Sequence, residues 1–255
     1  MGYILSKYAA IFRKNTRSKS SIIDNAISDK ESLSKNRLQL CNFGIRSDAQ
    51  KFATLDYMAD ACYCNCQFRD VLTYALQQRS VADSLDNNDM RKRAHVNLSA
   101  ALERLGEYYK CVSYCRVTIK LSKDSELYYC QSFLIMGRAY YGLGVFEKAA
   151  ECWSEAWRTS QNLNNIHLEA SALLHFGQLF ASLNDIISAY TIIRRAVIYL
   201  QGQKKAKTKD LQQICRTLLE AELELANIIL HLGYTQEASG LVEVSYNQFL
   251  ISEII

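Results

Sequence analysis

Nine cysteines and four histidines are the residues of this 255-residue chain with the most specific chemistry. Thiolates and imidazoles hold zinc when they converge in pairs, usually from Cys-x-x-Cys knuckles. Here Cys62, Cys64 and Cys66 alternate instead, and Cys111 and Cys115 stand one helical turn apart, as small buried residues commonly do. The odd cysteine count, the lack of an apolar leader-like core and a length sufficient for an ordinary core all argue against a disulfide framework. The expectation is reduced core cysteines in an intracellular chain. His95, His167, His175 and His231 are scattered along the sequence, and neither a Gly-rich phosphate loop nor a serine elbow accompanies them. No catalytic constellation follows, so the chain is expected to be no enzyme and to carry no cofactor and no metal.

The charged residues are the next candidates. Formal net charge is +4, unevenly spread. Lys7, Arg13, Lys14, Arg17 and Lys19 precede the first acidic residue, Asp24; a second cluster is Arg91, Lys92 and Arg93, and a third is Lys204, Lys205, Lys207 and Lys209. None is interleaved with aromatic residues in the manner of a base-stacking platform, so no nucleic-acid partner is expected. No apolar run approaches the ~20 residues that a membrane-crossing helix needs.

The elements that must position any site come from the pattern. The chain has no proline and only ten glycines, too few turn residues for a β-domain of this length. From Phe133 the sequence reads FLIMGRAYYGLGVFEKAAECWSEAW, with a large residue, then Met136-Gly137, Ala139-Tyr140, Gly144, Phe146, Ala149, Trp153 and Ala156. That order and spacing is similar to the tetratricopeptide repeat, a pair of antiparallel helices. Gly137 lets the second helix cross close to the first, Gly144 permits the turn between them, and Ala149 and Ala156 keep the second helix near its neighbours.

The same frame recurs at Leu55, Met58-Ala59, Cys62, Phe68, Val71 and Ala75. It returns at His95, Leu98-Ser99, Leu102, Gly106, Tyr108, Cys111 and Cys115, and again at Leu173, Phe176-Gly177, Phe180, Ile186, Ala189, Ile193 and Ala196. A last copy runs through Leu225-Ala226, Ile229, Gly233, Ala238 and Val242. The expected fold is all-α, a right-handed tetratricopeptide superhelix: residues 1–50 form a basic N-terminal segment with a degenerate first repeat, and residues 51–255 about five repeats in one continuous array. From Ala59 to Ser99, Gly137 and Gly177 the period is about 38–40 residues, against about 34 for the common repeat. The excess predicts longer helices or longer loops, with Asp83–Arg93 and Asn162–Asn165 reading as loops. Asn and other polar residues stand where the consensus often ends its second helix with proline.

Stacked helix pairs line a concave face with their first helices. The frame assigns Asp56, Asp60, Asn97, Arg104, Arg138, His175, Gln178 and Asn227 to that face. Asn97 could hold a peptide backbone with its two-sided amide, and Arg104 and Arg138 could pair with carboxylates bidentately. Tyr57, Tyr63 and Tyr141 would add amphipathic contact area.

NLSAALERLGEYYKCVSYC (97–115), MGRAYYGLGVFEKAAECWSEA (136–156) and FGQLFASLNDIISAY (176–190) resemble the rapsyn family of acetylcholine-receptor-clustering proteins, over about residues 50–200. Repeats of this length also occur in kinesin light chains and Pins-type adaptors. The resemblance implies a scaffold that clusters receptors at the cytoplasmic face of the postsynaptic membrane, binding receptor cytoplasmic tails and other copies of itself. Met1-Gly2 with Ser6 and Lys7 fits the N-myristoylation pattern with Gly2 as acceptor, although Tyr3 is bulky for that position. One myristoyl chain anchors only marginally, and the basic residues through Lys19 could supply a second hold on an anionic membrane surface. The coiled coil and RING domain of that family have no counterpart before Ile255, and the apolar FLISEII end reads as that of a fragment, a truncated isoform or a helix packing on another subunit. The alternative is a soluble peptide-binding adaptor of kinesin-light-chain or Pins type, which needs neither acylation nor self-association.

Overall fold

The structure, a computed structural model, describes residues 47–122, 126–205 and 211–254. Among the described residues it contains ten α-helices and no strand: α1 Asp48–Cys64, α2 Phe68–Ser84, α3 Asn88–Arg104, α4 Tyr108–Leu121, α5 Glu126–Gly142, α6 Phe146–Asn162, α7 Ile166–Ser182, α8 Ile186–Lys205, α9 Leu211–His231 and α10 Thr235–Ile254. The chain is therefore all-α. Two compact units share it, residues up to Asn97 and residues from Leu98 onward, with α3 contributing to both.

The long period comes from the helices. Asp83 and Ser84 belong to α2, residues 88–93 to α3 and Asn162 to α6, so neither Asp83–Arg93 nor Asn162–Asn165 is a long loop. Each is a turn of three residues between helices of 17 residues. Seven such turns occur among the described residues, and in each the middle residue has positive φ: Cys66, Asp86, Gly106, Gly144, Asn164, Asn184 and Gly233. Their hydrogen bonds follow one scheme. In the turn after α5, the Gly144 N–H donates to the Tyr141 carbonyl (2.9 Å) and the Val145 N–H to the Tyr140 carbonyl (2.9 Å). These are the 5→2 and 6→1 bonds of a Schellman termination, which satisfies the last carbonyls of the helix and needs a left-handed residue at its centre.

In three of these turns the third residue then caps the next helix with its side chain. Asn87 Oδ1 accepts from the Asp89 and Met90 N–H groups, Asn165 Oδ1 from Leu168 and Asp185 Oδ1 from Ser188. Asparagine and aspartate therefore stop one helix, through their tolerance of positive φ, and start another through their side-chain oxygens. This is what replaces the missing proline.

In the first unit, Phe52 and Leu55 of α1 pack on Val81 and Ala82 of α2 and on Ala94 of α3, with Tyr74 and Met90 at the edge. In the second, α7 is buried on two opposite sides. Leu168, Ala172 and Leu179 join Cys130, Leu134, Ala149, Trp153 and Ala156, while Ala170 and Leu174 join a cluster from α8 and α9 that includes Ile193, Leu200, Ile214 and Leu225. A helix apolar on both sides must be sandwiched.

The small residues of the frame allow the close crossings. A Cβ on Gly137 would overlap the Trp153 indole, and one on Gly177 would overlap Ile193. Trp153 is itself 1% exposed and its indole N–H donates to the Leu134 carbonyl at 3.3 Å.

Two stability outcomes follow. Gly137→Ala should destabilise the second unit by about 1–3 kcal/mol in urea unfolding, because overpacking against a fixed indole outweighs the helix propensity that alanine adds. Cys66→Gly should stabilise the first unit by roughly 0.5–1 kcal/mol, the left-handed penalty of about 1–2 kcal/mol less the backbone freedom glycine adds to the unfolded chain. A lower midpoint for Cys66→Gly would contradict the role given to that turn.

Candidate functional site

The expected face residues lie on the odd-numbered helices and fall into a separate group in each unit. In the first, Asp56 Oδ1 accepts from Arg93 Nε (2.8 Å), Gln78 Nε2 (2.9 Å) and Asn97 Nδ2 (3.0 Å). Arg93 Nη2 also donates to Asp60 Oδ2 at 3.0 Å, and Asn97 Nδ2 donates to Gln78 Oε1 at 2.9 Å. Asn97 and Gln78 are buried. The amide expected to hold a partner's backbone thus gives both N–H groups to its own chain, and the network ties α1, α2 and α3 together. Asp60 and Tyr57 remain exposed.

Arg93 and Gln78 were not among the sequence candidates. Arg93 belonged to a basic cluster expected in a loop, yet Arg91, Lys92 and Arg93 all lie in α3 and all meet carboxylates. Arg91 pairs with Asp83 and Asp86, Lys92 with Asp89, and Arg93 with Asp56 and Asp60. The signal for Arg93 was its place one turn before Asn97 on the same helix. Gln78 announced itself as an amide on the buried stripe Val71, Ala75, Ala82. Lys207 and Lys209 lie outside the described residues, as do Gly2 and the basic N-terminal residues.

In the second unit, Glu103 Oε2 lies 3.3 Å from Arg138 Nε and 3.5 Å from Arg104 Nε. Glu103 is 12% exposed, Arg138 23% and Arg104 44%. Although close, Arg138 Nε and Glu103 Oε2 are buried atoms without a hydrogen bond, so their contact is ionic and out of line. Glu103 was also missed. Its signal was a carboxylate at the position where neighbouring repeats carry Tyr63 and Tyr141.

One helix pair on, the His175 imidazole stacks on the Trp153 indole with centroids 5.2 Å apart. His175 Nδ1 lies 3.0 Å from Gln178 Oε1, and Gln178 Nε2 donates to Glu224 Oε1 at 3.0 Å. A carboxylate only accepts, so Glu224 orients the Gln178 amide, and the Gln178 carbonyl in turn assigns the proton to His175 Nδ1. Burial pushes the His175 pKa down to about 3, and the charges of Arg138 and Arg104 push the same way, against the hydrogen bond to Gln178. His175 is therefore neutral at physiological pH. Asn227 is exposed on α9, one turn beyond Glu224. The Tyr141 hydroxyl meets Ser182 Oγ across α5 and α7.

Most of the described thiols are buried. Cys62, Cys111, Cys115, Cys130, Cys152 and Cys215 are buried free thiols, while Cys64 and Cys66 are exposed, against the expectation of a core role for every cysteine. Burial pushes Cys130 and Cys152 up to about 12, far from thiolate chemistry. Among the described residues no group of three or more His, Cys, Asp or Glu could hold a metal ion, and no helix is long and apolar enough to cross a membrane.

Because the unfolded chain binds a proton near pH 6.5 that folded His175 refuses until about pH 3, its stability share is complete above about 6.5 and lost as pH falls towards 3. Between pH 7.5 and 5.0 the native chain should lose about 2 kcal/mol more than His175→Gln does over the same interval. Equal losses in urea unfolding of the two proteins would show that His175 titrates normally.

No protein-family model matches the chain. It is 29% identical over 121 residues to the 43 kDa receptor-associated protein of the synapse of Gallus gallus, a match covering 47% of this chain and 29% of that protein. The chain thus spans less than a third of the length of this curated relative. Among solved structures it is similar to BtubC (BKLC) from P. vanneervenii, with a TM-score of 0.60 and 18% identity over 88% of this chain and 89% of that one. It is also similar to a putative kinesin light chain of nearly identical TPR-like repeats from Podosopora anserina, with a TM-score of 0.53 and 14% identity over 83% and 100% of the two chains. The fold is all-α, of the tetratricopeptide-repeat type, and partial similarity ties the chain to a receptor-associated protein of the synapse.

Proposed function

We propose that this chain is a non-enzymatic scaffold that binds other proteins along its odd-numbered helices and clusters membrane receptors, through their cytoplasmic tails and its own self-association, at the cytoplasmic face of a postsynaptic membrane. The observation that carries the binding role is the row Arg104, Arg138 and Gln178, the last braced by the buried His175. These polar groups sit on successive first helices, the two guanidiniums drawing on a single carboxylate oxygen. Such a row gives directional contacts to an extended segment of another protein while the helices beneath keep their cores. The receptor and membrane parts rest on similarity to the receptor-associated protein and on the Met1-Gly2 start with its basic residues.

Intact-mass analysis of protein from its native cell type, alongside membrane fractionation, tests the membrane part. The expected result is a myristoyl mass on Gly2, with recovery in the membrane fraction lost in Gly2→Ala. An unmodified chain found wholly in the soluble fraction would overturn clustering at a membrane and leave the soluble peptide-binding adaptor. Concentration-dependent mass by light scattering tests self-association, and a constant monomer mass would remove it.

A further inference from the structure

We infer that the partner segment held by the second unit is acidic, and that one of its carboxylates binds Arg138 and Arg104 in place of Glu103. This rests on the protein-binding role proposed above and names the chemistry of its partner. The guanidinium of Arg138 is mostly buried, yet its Nε has no hydrogen bond, and neither does the buried Glu103 Oε2 that lies 3.3 Å away. Buried ionised groups are normally paired in line, since a charge removed from water without its hydrogen bonds is costly. Here a single carboxylate oxygen is reached by two guanidiniums, at 3.3 and 3.5 Å. A guanidinium presents its N–H groups as a fork that matches both oxygens of a carboxylate, and Glu103 Oε2 makes no such bond with Arg138 Nε.

The surroundings favour an anion. Arg138 and Arg104 set up a positive field that reaches His175 and helps keep that imidazole uncharged. The nearby carboxylate of Glu224 accepts from Gln178. Glu103 therefore acts as an internal placeholder whose geometry is poor enough for an incoming carboxylate to better it. Planar carboxylates on a flexible chain suit the site, and a basic segment would meet two like charges.

The full chain, titrated into fluorescein-labelled octaglutamate and octalysine peptides with fluorescence anisotropy as the readout, tests this. Octaglutamate should bind in preference to octalysine. Arg138→Met should weaken that binding at least tenfold, and Arg138→Lys, which keeps charge but not the fork, should weaken it less. Glu103→Gln, which removes the placeholder without removing volume, should tighten binding severalfold, and affinity should stay flat from pH 8 to 5.5 because His175 remains neutral. Equal binding of the two peptides, or a Glu103→Gln chain that binds octaglutamate no tighter than the native one, overturns the inference even if Arg138→Met misfolds. A chain that fractionates with membranes and self-associates but ignores octaglutamate loses this inference alone; failure in all three assays removes the scaffold reading with it.

Discussion

Reversing a helix within three residues requires one backbone position at positive φ and a way to satisfy the carbonyls left open at the helix end. This chain meets that requirement with Gly106, Gly144 and Gly233, with the short polar residues Asp86, Asn164 and Asn184, and, against its steric preference, with Cys66. Because these seven turns are short, helix length sets much of the repeat. Helices of 17 residues separated by three-residue turns bring α3 back after α1 and α7 back after α5 at the same interval of 40 residues, and the 14-residue α4 leaves the α3-to-α5 interval at 38. Constant spacing is what places Arg138 and Gln178 at equivalent positions on successive first helices, with Arg104 one helical turn further along its own. The site is thus a consequence of the turns.

The second constraint is approach distance. Trp153 and Ile193 are almost wholly buried, and each occupies the space that a Cβ on Gly137 or Gly177 would need. The same indole that fills the gap beside Gly137 forms the floor on which His175 stacks. Packing and site chemistry meet at one residue: the apolar floor desolvates the imidazole, desolvation keeps it neutral, and the Arg138 charge reinforces the effect. Removing the close crossing would loosen the core and the polar row together.

The Asp56 cluster of the first unit and the Glu103 cluster of the second use polar residues in opposite ways. In the first, Asp56, Gln78, Arg93 and Asn97 satisfy one another through bonds of 2.8–3.0 Å, and the group braces three helices. In the second, the Glu103 and Arg138 atoms that face each other have charge but no aligned hydrogen bond. A satisfied buried network rigidifies, whereas an incompletely satisfied one carries the cost of its unpaired groups. That difference separates the two clusters more clearly than residue type does, since both contain carboxylates and arginines.

The sequence by itself determined the helical class and the register of the repeats, because both follow from local periodicity and from small residues at fixed intervals. It also held the turn positions in plain view. Leu85-Asp86, Leu105-Gly106, Leu143-Gly144, Leu163-Asn164, Leu183-Asn184 and Leu232-Gly233 each place a leucine before a residue that tolerates positive φ. Two of these segments read as longer loops only because asparagine signals a helix start, a helix stop and a flexible stretch alike. Which face residues are occupied by their own chain was decided by the tertiary structure. Asn97 and Arg138 look equally available in the sequence, but the first is surrounded by Asp56 and Gln78 and the second is not. Hydrogen bonds between residues some 20 to 40 positions apart depend on helix crossing and side-chain reach, and no local pattern encodes either.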